Sequence, residues 1–198
     1  PRIQDKAAPK MAVQLADGST SFDGTDDYIS IPDSSNLSFG DGSSDSAFSI
    51  SAWVKMDDAT DSNRITKGVD GDNTHEWFFG NSGDKLYFYT WDESASAYVG
   101  RLYNTDITSY ENQWIHICGT YSGNGASSGF KIYINGSRVD DTNFENGTYT
   151  AIENLGADIH IGRYATGYHD GSIANVAIYS RELTQTQIQE LMFTEKYS

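Results

Sequence analysis

The stretch Lys85–Asp92 carries the most suggestive chemistry in the chain, because aromatic side chains occupy both faces of one predicted strand. Side chains alternate along a strand, so one face can enter a core while the other meets a ligand. The rings predicted for the second face are those of Tyr87, Tyr89 and Trp91. Sugar rings present C–H faces that stack on aromatic planes, and their hydroxyl groups need oriented polar partners. We therefore expect a carbohydrate to bind along this strand.

Four further residues, from the neighbouring predicted strands 75–80 and 98–104, complete this candidate groove. They are His75, Trp77, Arg101 and Tyr103. An imidazole, an indole, a guanidinium and a phenol would supply both stacking surfaces and hydrogen-bond donors. The alternative is that loops cover the rings and bury them as a second apolar layer, which would leave a scaffold role for the domain.

A cluster of acids offers a second kind of chemistry. Asp23, Asp26 and Asp27 lie beside Gly24 at a predicted strand. Calcium is bound by six to eight oxygens, often from carboxylates and backbone carbonyls together. The sequence therefore predicts a calcium site at this turn. The alternative is that these acids form the turn itself, because an Asp side chain readily accepts hydrogen bonds from its own backbone.

Catalytic constellations are not evident in the sequence. Glycoside hydrolysis needs two carboxyl groups that flank one bond, whereas Asp92 and Glu93 are adjacent and would point to opposite faces of a strand. Glu76 stands alone. The chain contains no Gly-x-Ser-x-Gly elbow, no His-Glu-x-x-His pair and no phosphate-binding glycine loop. We therefore expect a protein that is not an enzyme.

The charge balance excludes two classes of partner. The 198 residues include 13 Lys and Arg against 28 Asp and Glu, a formal net charge of −15. Such a chain repels nucleic-acid phosphates and anionic lipid, since binding either depends on clustered Lys and Arg. Hydrophobic residues make up 37 % and aromatic residues 13 % of the chain, which suffices for one globular domain with its own core.

Residues 1–20 are predicted to form an N-terminal arm or linker, followed by a single domain over 21–198. The first ten residues contain three basic side chains and one acidic one, in contrast to the acidic remainder. We expect such an arm to tether the domain to a larger surface or virion assembly. A frayed chain end explains the contrast equally well.

Short alternating runs closed by Gly, Asn, Asp or Ser predict an almost entirely β domain. The predicted strands are 21–31, 48–56, 64–68, 75–80, 85–92, 98–104, 113–121, 130–134, 137–140, 158–164 and 171–179. Asn135-Gly136 predicts a two-residue hairpin loop, because both residues tolerate the positive φ that such a loop needs.

One helix is predicted near the C-terminus, running to about Phe193. Thr184 can cap its first amides, and Gln187 can reach back from the third helical position. Leu183 and Ile188 are spaced to pack against each other across the cap. We expect the apolar side of this helix to close one end of the β core.

Four ordered segments resemble the concanavalin A-like superfamily in its laminin-G-like jelly-roll branch. The first two are Phe-Asp-Gly-Thr-Asp-Asp-Tyr-Ile-Ser-Ile at 22–31 and Phe-Ser-Ile-Ser-Ala-Trp-Val-Lys at 48–55. The third comprises 113–121 with 131–136, and the fourth is Gly-Ser-Ile-Ala-Asn-Val-Ala-Ile-Tyr-Ser-Arg-Glu-Leu-Thr at 171–184. The resemblance runs from about residue 21 to residue 193.

This resemblance implies an all-β fold: a two-sheet antiparallel jelly-roll sandwich with one short C-terminal helix. It also implies a structural calcium ion that ties the first strand to the last through Asp23 and Asn175, with Asp170 as a weaker ligand. The expected function is a non-catalytic module that binds a polysaccharide or glycoconjugate. The alternative is a structural or attachment domain of a surface layer, adhesin or virus particle. Either function implies an extracellular, cell-surface or virion-exposed location.

Overall fold

A computed structural model describes residues 11–14, 18–60, 64–68 and 73–195 as two packed antiparallel sheets. In the first sheet β1 (Met11–Gln14) and β2 (Ser19–Asp23) both pair with β16 (Asp170–Tyr179). The sheet then continues through β4 (Phe48–Met56), β9 (Trp114–Tyr121), β10 (Phe130–Ile134) and β11 (Ser137–Arg138).

The second sheet also has seven strands. Their spatial order is β12 (Thr142–Asn146), β8 (Ala97–Tyr103), β7 (Lys85–Asp92), β6 (Trp77–Ser82), β5 (Arg64–Lys67), β13 (Ile159–Ile161) and β3 (Ile29–Ile31). A small hairpin follows, from β14 (Arg163–Tyr164) and β15 (Gly167–Tyr168). Three 3₁₀ turns occur at Ser35–Leu37, Thr108–Tyr110 and Ser127–Gly129. The jelly-roll sandwich predicted from the sequence is confirmed.

Two predicted strands are each divided by a glycine turn. The run 21–31 forms β2 in the first sheet and β3 in the second, because Gly24 adopts φ +73° and redirects the chain. The Asp23 carboxylate accepts the Thr25 N–H at 2.9 Å and holds this turn. The run 158–164 is divided in the same way at Gly162, where φ is +86°.

The first sheet begins within the segment that the sequence assigned to an arm. The strands β1 and β2 both start before residue 21, and both hydrogen-bond to β16. Residues 1–10 lie outside the described residues, so the tethering role predicted for them stays a prediction.

The core fills the space between the two sheets with aromatic and branched side chains. Phe48 of the first sheet meets Phe88 of the second edge to face, with ring centroids 5.4 Å apart. Gly119 leaves room for this contact, since a Cβ there would lie 2.8 Å from the Phe88 ring. Each large apolar side chain buried in this way stabilises the fold by about 1.5–3 kcal/mol.

The helix α1 (Gln185–Glu195) has the predicted cap. Thr184 Oγ1 accepts the Gln187 N–H at 3.3 Å, and Gln187 Oε1 accepts the Thr184 N–H at 3.0 Å. Its packing differs from the prediction that it closes one end of the core. Leu183 and Ile188 pack with Cys118 and Tyr133 on the outer side of the first sheet, in a cluster separate from the main core. Among the described residues, no helix is both long and apolar enough to span a bilayer.

A buried ionic cluster ties the second sheet to a loop. Lys67 Nζ donates to Asp33 Oδ1 at 2.5 Å and to the Ala157 carbonyl at 2.6 Å. The same nitrogen lies 3.2 Å from Glu76 Oε1, which also accepts the Leu155 N–H at 3.1 Å. Burial raises the pKa of the Glu76 carboxyl above its usual value, although the Lys67 charge acts in the opposite direction.

Candidate functional site

The outer side of the second sheet, which faces away from the core, carries a contiguous group of rings that we call the aromatic face. Strand pairing places Phe78 opposite Tyr89, and Trp91 opposite Tyr98. Paired residues share one side of a sheet, so these rings form rows across neighbouring strands. The aromatic face consists of His75, Phe78, Tyr87, Tyr89, Trp91, Tyr98, Phe144 and Tyr164.

Four of these rings stand upright on the sheet as one stack. The centroid distances are 5.2 Å from His75 to Trp91, 5.1 Å from Trp91 to Tyr98 and 4.5 Å from Tyr98 to Phe144. The successive planes are nearly parallel, at 20°, 21° and 23°. Within the stack each ring therefore covers the face of its neighbour, and the exposed parts of Trp91 and Tyr98 are ring edges.

Gly100 makes this arrangement possible. It lies opposite both Tyr89 and Phe144 in the strand pairing, on the same side of the sheet as the rings. A Cβ at position 100 would collide with the Phe88 carbonyl and with Tyr89 Cα and Cβ. The missing side chain leaves space for Tyr89 and lets Phe144 reach Tyr98 across the strand.

The protein covers part of the aromatic face itself. Tyr164, on the small hairpin, packs 5.0 Å from the Phe78 ring and 5.3 Å from the His75 ring. As a result Phe78 and His75 are buried, and Tyr89 is only 9 % exposed. Tyr87, Trp91, Tyr98 and Phe144 are half-buried instead. The accessible part of the face is therefore on β7, β8 and the edge strand β12.

The structure corrects the position of three residues predicted for the groove. Trp77 is fully buried in the core between the sheets, and Tyr103 packs against that same core. Arg101 lies opposite Phe88 on the inner side, where its Nε donates to Asp140 Oδ2 at 2.9 Å. The prediction took the wrong face of β6 and β8, because alternation along one strand does not show how that strand is paired.

The remaining predicted residues do lie on the aromatic face. Of these, Tyr87 and Trp91 keep accessible surface, whereas Tyr89 and His75 are buried by neighbouring rings. The prediction that rings face water is therefore met at two of its positions only. Direct stacking of sugars on ring faces, as the sequence suggested, does not fit the upright arrangement.

Two rings and an amide that the sequence interpretation missed complete the accessible area. Tyr98 and Asn146 are paired across β8 and β12 on the outer side, and Phe144 precedes Asn146 on the same side of β12. Alternation along β8 places Tyr98 and Arg101 on opposite faces but does not show which face is the outer one. The pairing of β8 with β7 shows that Tyr98 is on the outer side. The strand β12 was missed because Thr-Asn-Phe-Glu-Asn contains a single strongly apolar residue.

A cleft of about 420 Å³ adjoins this area at the sheet edge, and we call it the edge cleft. It is lined by Tyr98, Val99, Gly125, Ala126, Glu145, Asn146, Gly147 and Tyr149. The Tyr149 hydroxyl donates to Asp45 Oδ2 at 2.8 Å and accepts from Thr90 Oγ1 at 3.0 Å, which fixes one wall. Burial, with the nearby Asp45 charge, raises the pKa of Tyr149, so this hydroxyl stays neutral.

The predicted calcium ligands do not all meet. The carboxylate oxygens of Asp23, Asp26 and Asp27 lie within 4.8 Å of one another on the surface. Asp170 pairs with Asp23, and its side chain lies beside Gly24. Asn175 is five residues farther along β16, about 16 Å at the usual rise, in a bulge with φ +50°. One ion cannot bind both Asp23 and Asn175, so the implied pair is wrong.

Two of the carboxylates considered for catalysis have structural partners. Asp92 Oδ1 accepts the Ala95 N–H at 3.0 Å, and its Oδ2 accepts the Thr150 N–H at 2.9 Å. Glu76 is buried in the ionic cluster with Lys67. Both groups therefore hold loops against the second sheet.

Comparisons with known proteins agree with this architecture. The botulinum neurotoxin serotype G binding domain is 19 % identical with a TM-score of 0.56, over 91 % of this chain and 47 % of that chain. The binding domain of botulinum neurotoxin DC in complex with SialylT is 22 % identical with a TM-score of 0.52, over 77 % of this chain and 36 % of that chain. A heptameric SAP-like pentraxin from Limulus polyphemus is 17 % identical with a TM-score of 0.52, over 83 % of this chain and 81 % of that chain.

The chain thus spans less than half the length of the toxin binding domains that it resembles. A search of curated protein sequences found no match. Residues 23–189 match the family model Laminin_G_3, described as concanavalin A-like lectin/glucanases superfamily. Because this match covers most of the chain, the protein belongs to the Laminin_G_3 family of that superfamily.

Proposed function

We propose that the protein is a non-catalytic glycan-binding module that uses the accessible part of the aromatic face. The observation that carries this proposal is the half-exposed row of Trp91, Tyr98 and Asn146 across three adjacent strands. It combines two amphipathic rings with an amide, which are the groups that a hydroxyl-rich ligand requires. A neighbouring structure of similar fold is in complex with SialylT, which supports a glycan as the class of ligand.

The upright stack suggests how the glycan is held. Trp91 and Tyr98 lie between rings that are already packed against them, so binding requires little ordering of side chains. The Asn146 amide offers two donors and one acceptor oxygen to sugar hydroxyls. Affinity then comes from hydrogen bonds to the Asn146 amide and from contact of the sugar with the preorganised edges of the two rings.

The scaffold alternative is favoured by one feature of the same stack. Rings that cover one another's faces stabilise the sheet without any ligand, each pair contributing about 0.5–1.5 kcal/mol. A structural or attachment domain of a surface layer, adhesin or virus particle would retain such a stack for stability alone. Location outside the cell or on a particle surface stays a prediction under both functions.

Glycan-array binding with matched variants separates these functions. We expect Trp91→Ala and Tyr98→Ala to weaken binding about tenfold or more, because each removes polar and apolar contacts at the centre of the row. Trp114→Ala is the control, since Trp114 is 43 % exposed on the outer side of the other sheet. An array without any ligand, or equal weakening by the control, would favour the scaffold function.

We also propose a structural calcium ion at the turn that joins the two sheets. Asp23, Asp26 and Asp27 bring three carboxylates together, and Asp170 stands beside them. Carboxylates at one surface turn fit the oxygen preference of calcium. An ion there would fasten β2 to β16 and stabilise the crossing of the chain into the second sheet.

A further inference from the structure

Three Asn-Gly pairs occur in the chain, at 124–125, 135–136 and 146–147. An Asn followed by Gly can react with its own backbone, because glycine has no Cβ to keep its nitrogen away from the preceding side chain. The residue types are the same in all three pairs, so only their surroundings in the fold can distinguish their reactivity.

The reaction needs only water and hydroxide. The Gly nitrogen gives up its proton to hydroxide and attacks the Asn Cγ, and the new C–N bond closes a five-membered succinimide. The bond from Cγ to Nδ2 breaks, and Nδ2 leaves as ammonia. Water then opens the ring at either carbonyl and leaves aspartate or isoaspartate. The Asn side chain must therefore be free to approach the next backbone nitrogen.

The structure holds the pair at 124–125 at both reacting groups. Asn124 Oδ1 accepts the Ala126 N–H at 3.1 Å, and Asn124 Nδ2 donates to Ser128 Oγ at 3.4 Å. The Gly125 N–H donates to the Tyr121 hydroxyl at 2.7 Å. The attacking nitrogen and the leaving amide are both engaged, so several hydrogen bonds must break before they can meet.

The pair at 135–136 is held by the hairpin and by α1. The Asn135 N–H donates to the His116 carbonyl at 2.8 Å, and Asn135 Oδ1 accepts the His116 N–H at 3.0 Å. Gly136 is buried, and its carbonyl accepts from Gln185 Nε2 at 3.0 Å and Gln189 Nε2 at 3.2 Å. This turn cannot rotate toward the reactive geometry without losing contacts to β9 and to the helix.

The pair at 146–147 lacks comparable restraints. Asn146 is the last residue of the edge strand β12, where it pairs with Tyr98, and both Asn146 and Gly147 are exposed. Over the described residues the Asn146 side chain makes no hydrogen bond, and the bonds of the described turns and loops do not include the Gly147 N–H. The end of an edge strand opens locally at low cost, so the reactive geometry is accessible here.

We propose that Asn146 is a site of spontaneous modification, which converts to aspartate and isoaspartate while Asn124 and Asn135 persist. Its effect on ligand binding rests on the proposed glycan-binding function. The amide loses both of its donors, and the carboxylate that replaces it only accepts hydrogen bonds. Isoaspartate also lengthens the backbone by one carbon and disturbs the pairing with Tyr98. Conversion therefore lowers glycan binding with time and limits the working life of the row.

Peptide mapping by mass spectrometry after incubation at mildly alkaline pH tests the modification. In urea-unfolded protein we expect the three pairs to convert at similar rates. In the folded protein Asn124 and Asn135 should convert at least about tenfold more slowly than Asn146, because each hydrogen bond that must break can slow the reaction by up to that factor. Equal rates at the three sites of the folded protein, or an Asn146 as slow as the other two, would overturn the proposal.

Glycan binding before and after the incubation tests the effect on the row. Binding should fall about tenfold on full conversion, and Asn146→Asp should show that loss from the start. Asn146→Gln is the matched control, because it keeps an amide but would have to close a six-membered ring. Its binding should not change during the incubation, and thermal melting confirms that each variant is folded.

The outcomes separate this proposal from the function on which part of it rests. Conversion of Asn146 without any loss of glycan binding would overturn the effect on the row and leave the glycan-binding function standing. Fresh protein that binds no glycan would count against the glycan-binding function, while the peptide maps would still decide whether Asn146 is the modified site.

Discussion

Replacing Lys67 by Met should destabilise the protein strongly, and the size of the effect should depend on pH. The side chain of Lys67 is fully buried, and its Nζ contacts Asp33, Glu76 and the Ala157 carbonyl. Met keeps a similar length and fills the same volume, so the loss is mainly electrostatic. The Asp33 side chain is partly exposed and can rehydrate, whereas Glu76 cannot.

The size of the destabilisation follows from the Glu76 carboxylate, which remains buried when the Lys67 charge is removed. Removing one partner of a buried ion pair costs about 3–5 kcal/mol, because the other charge is left without compensation. We expect Lys67→Met to lower the free energy of unfolding by about 4 kcal/mol at pH 7. Glu76→Gln added to this variant removes the stranded charge and should recover about 1–2 kcal/mol, since the two sites are coupled.

The pH dependence has a defined sign. The pKa of Glu76 is already raised by burial, and loss of the Lys67 charge raises it further. A raised carboxyl pKa means that the folded protein binds the proton more tightly than the unfolded chain does. Stability of the Lys67→Met variant should therefore be greatest below pH 4.5 and fall as pH rises toward the folded-state pKa.

Urea unfolding followed by tryptophan fluorescence at pH 4.5 and pH 7 measures both effects. Lys55→Met is the control, because Lys55 forms an exposed pair with Asp57 at 3.6 Å and should cost less than about 1 kcal/mol. A penalty for Lys67→Met as small as that of the control, or one that is equal at both pH values, would refute the reasoning.

Three further predictions concern acid stability, packing and calcium. Burial alone would raise the pKa of the Asp140 carboxyl, but the hydrogen bonds and charge of Arg138 lower that pKa overall. The stability that the Asp140 carboxylate contributes should therefore be complete above pH 3.8 and be lost as pH falls through its pKa in the folded protein. Acid titration of Asp140→Asn should show a shallower loss of stability than the original protein. Gly100→Ala should cost about 2–3 kcal/mol and weaken the near-UV circular dichroism of the stacked rings, because its Cβ collides with backbone; unchanged spectra would contradict this role. Calcium at 100 times its dissociation constant should add about 2.7 kcal/mol to the free energy of unfolding, measured by thermal melting with and without chelator. Asp23→Asn should abolish this shift, and the absence of a shift in the original protein would contradict the proposed calcium site.

Local sequence patterns determined much of the architecture. The bounds of β4, β7 and β10 were predicted to the residue, because alternation of apolar side chains is a property of the strand itself. The Asn135-Gly136 loop has the positive φ values that its residue types indicated, at +50° and +73°. The helix cap at Thr184 likewise depends on residues three positions apart.

The calcium pair shows why a motif did not fix a site. Asp23 and Asn175 lie in segments that the family resemblance brings together, and β2 does pair with β16. Register within that pair places Asp170, not Asn175, opposite Asp23. A different register between β2 and β16 would require no change of residue type, so the sequence did not indicate which residue lies opposite Asp23.

The sequence by itself determined that this chain would form an antiparallel β sandwich with aromatic residues on both sides of β7, because periodicity and turn chemistry act over a few residues. Only the tertiary structure decided which rings share the outer side, that Trp91 and Tyr98 stack upright, and that Trp77 belongs to the core. These outcomes depend on the pairing of strands and on Gly100 meeting Tyr89 across them. Contacts between segments far apart in the chain depend on register and packing, and the local pattern of one strand does not determine either of them.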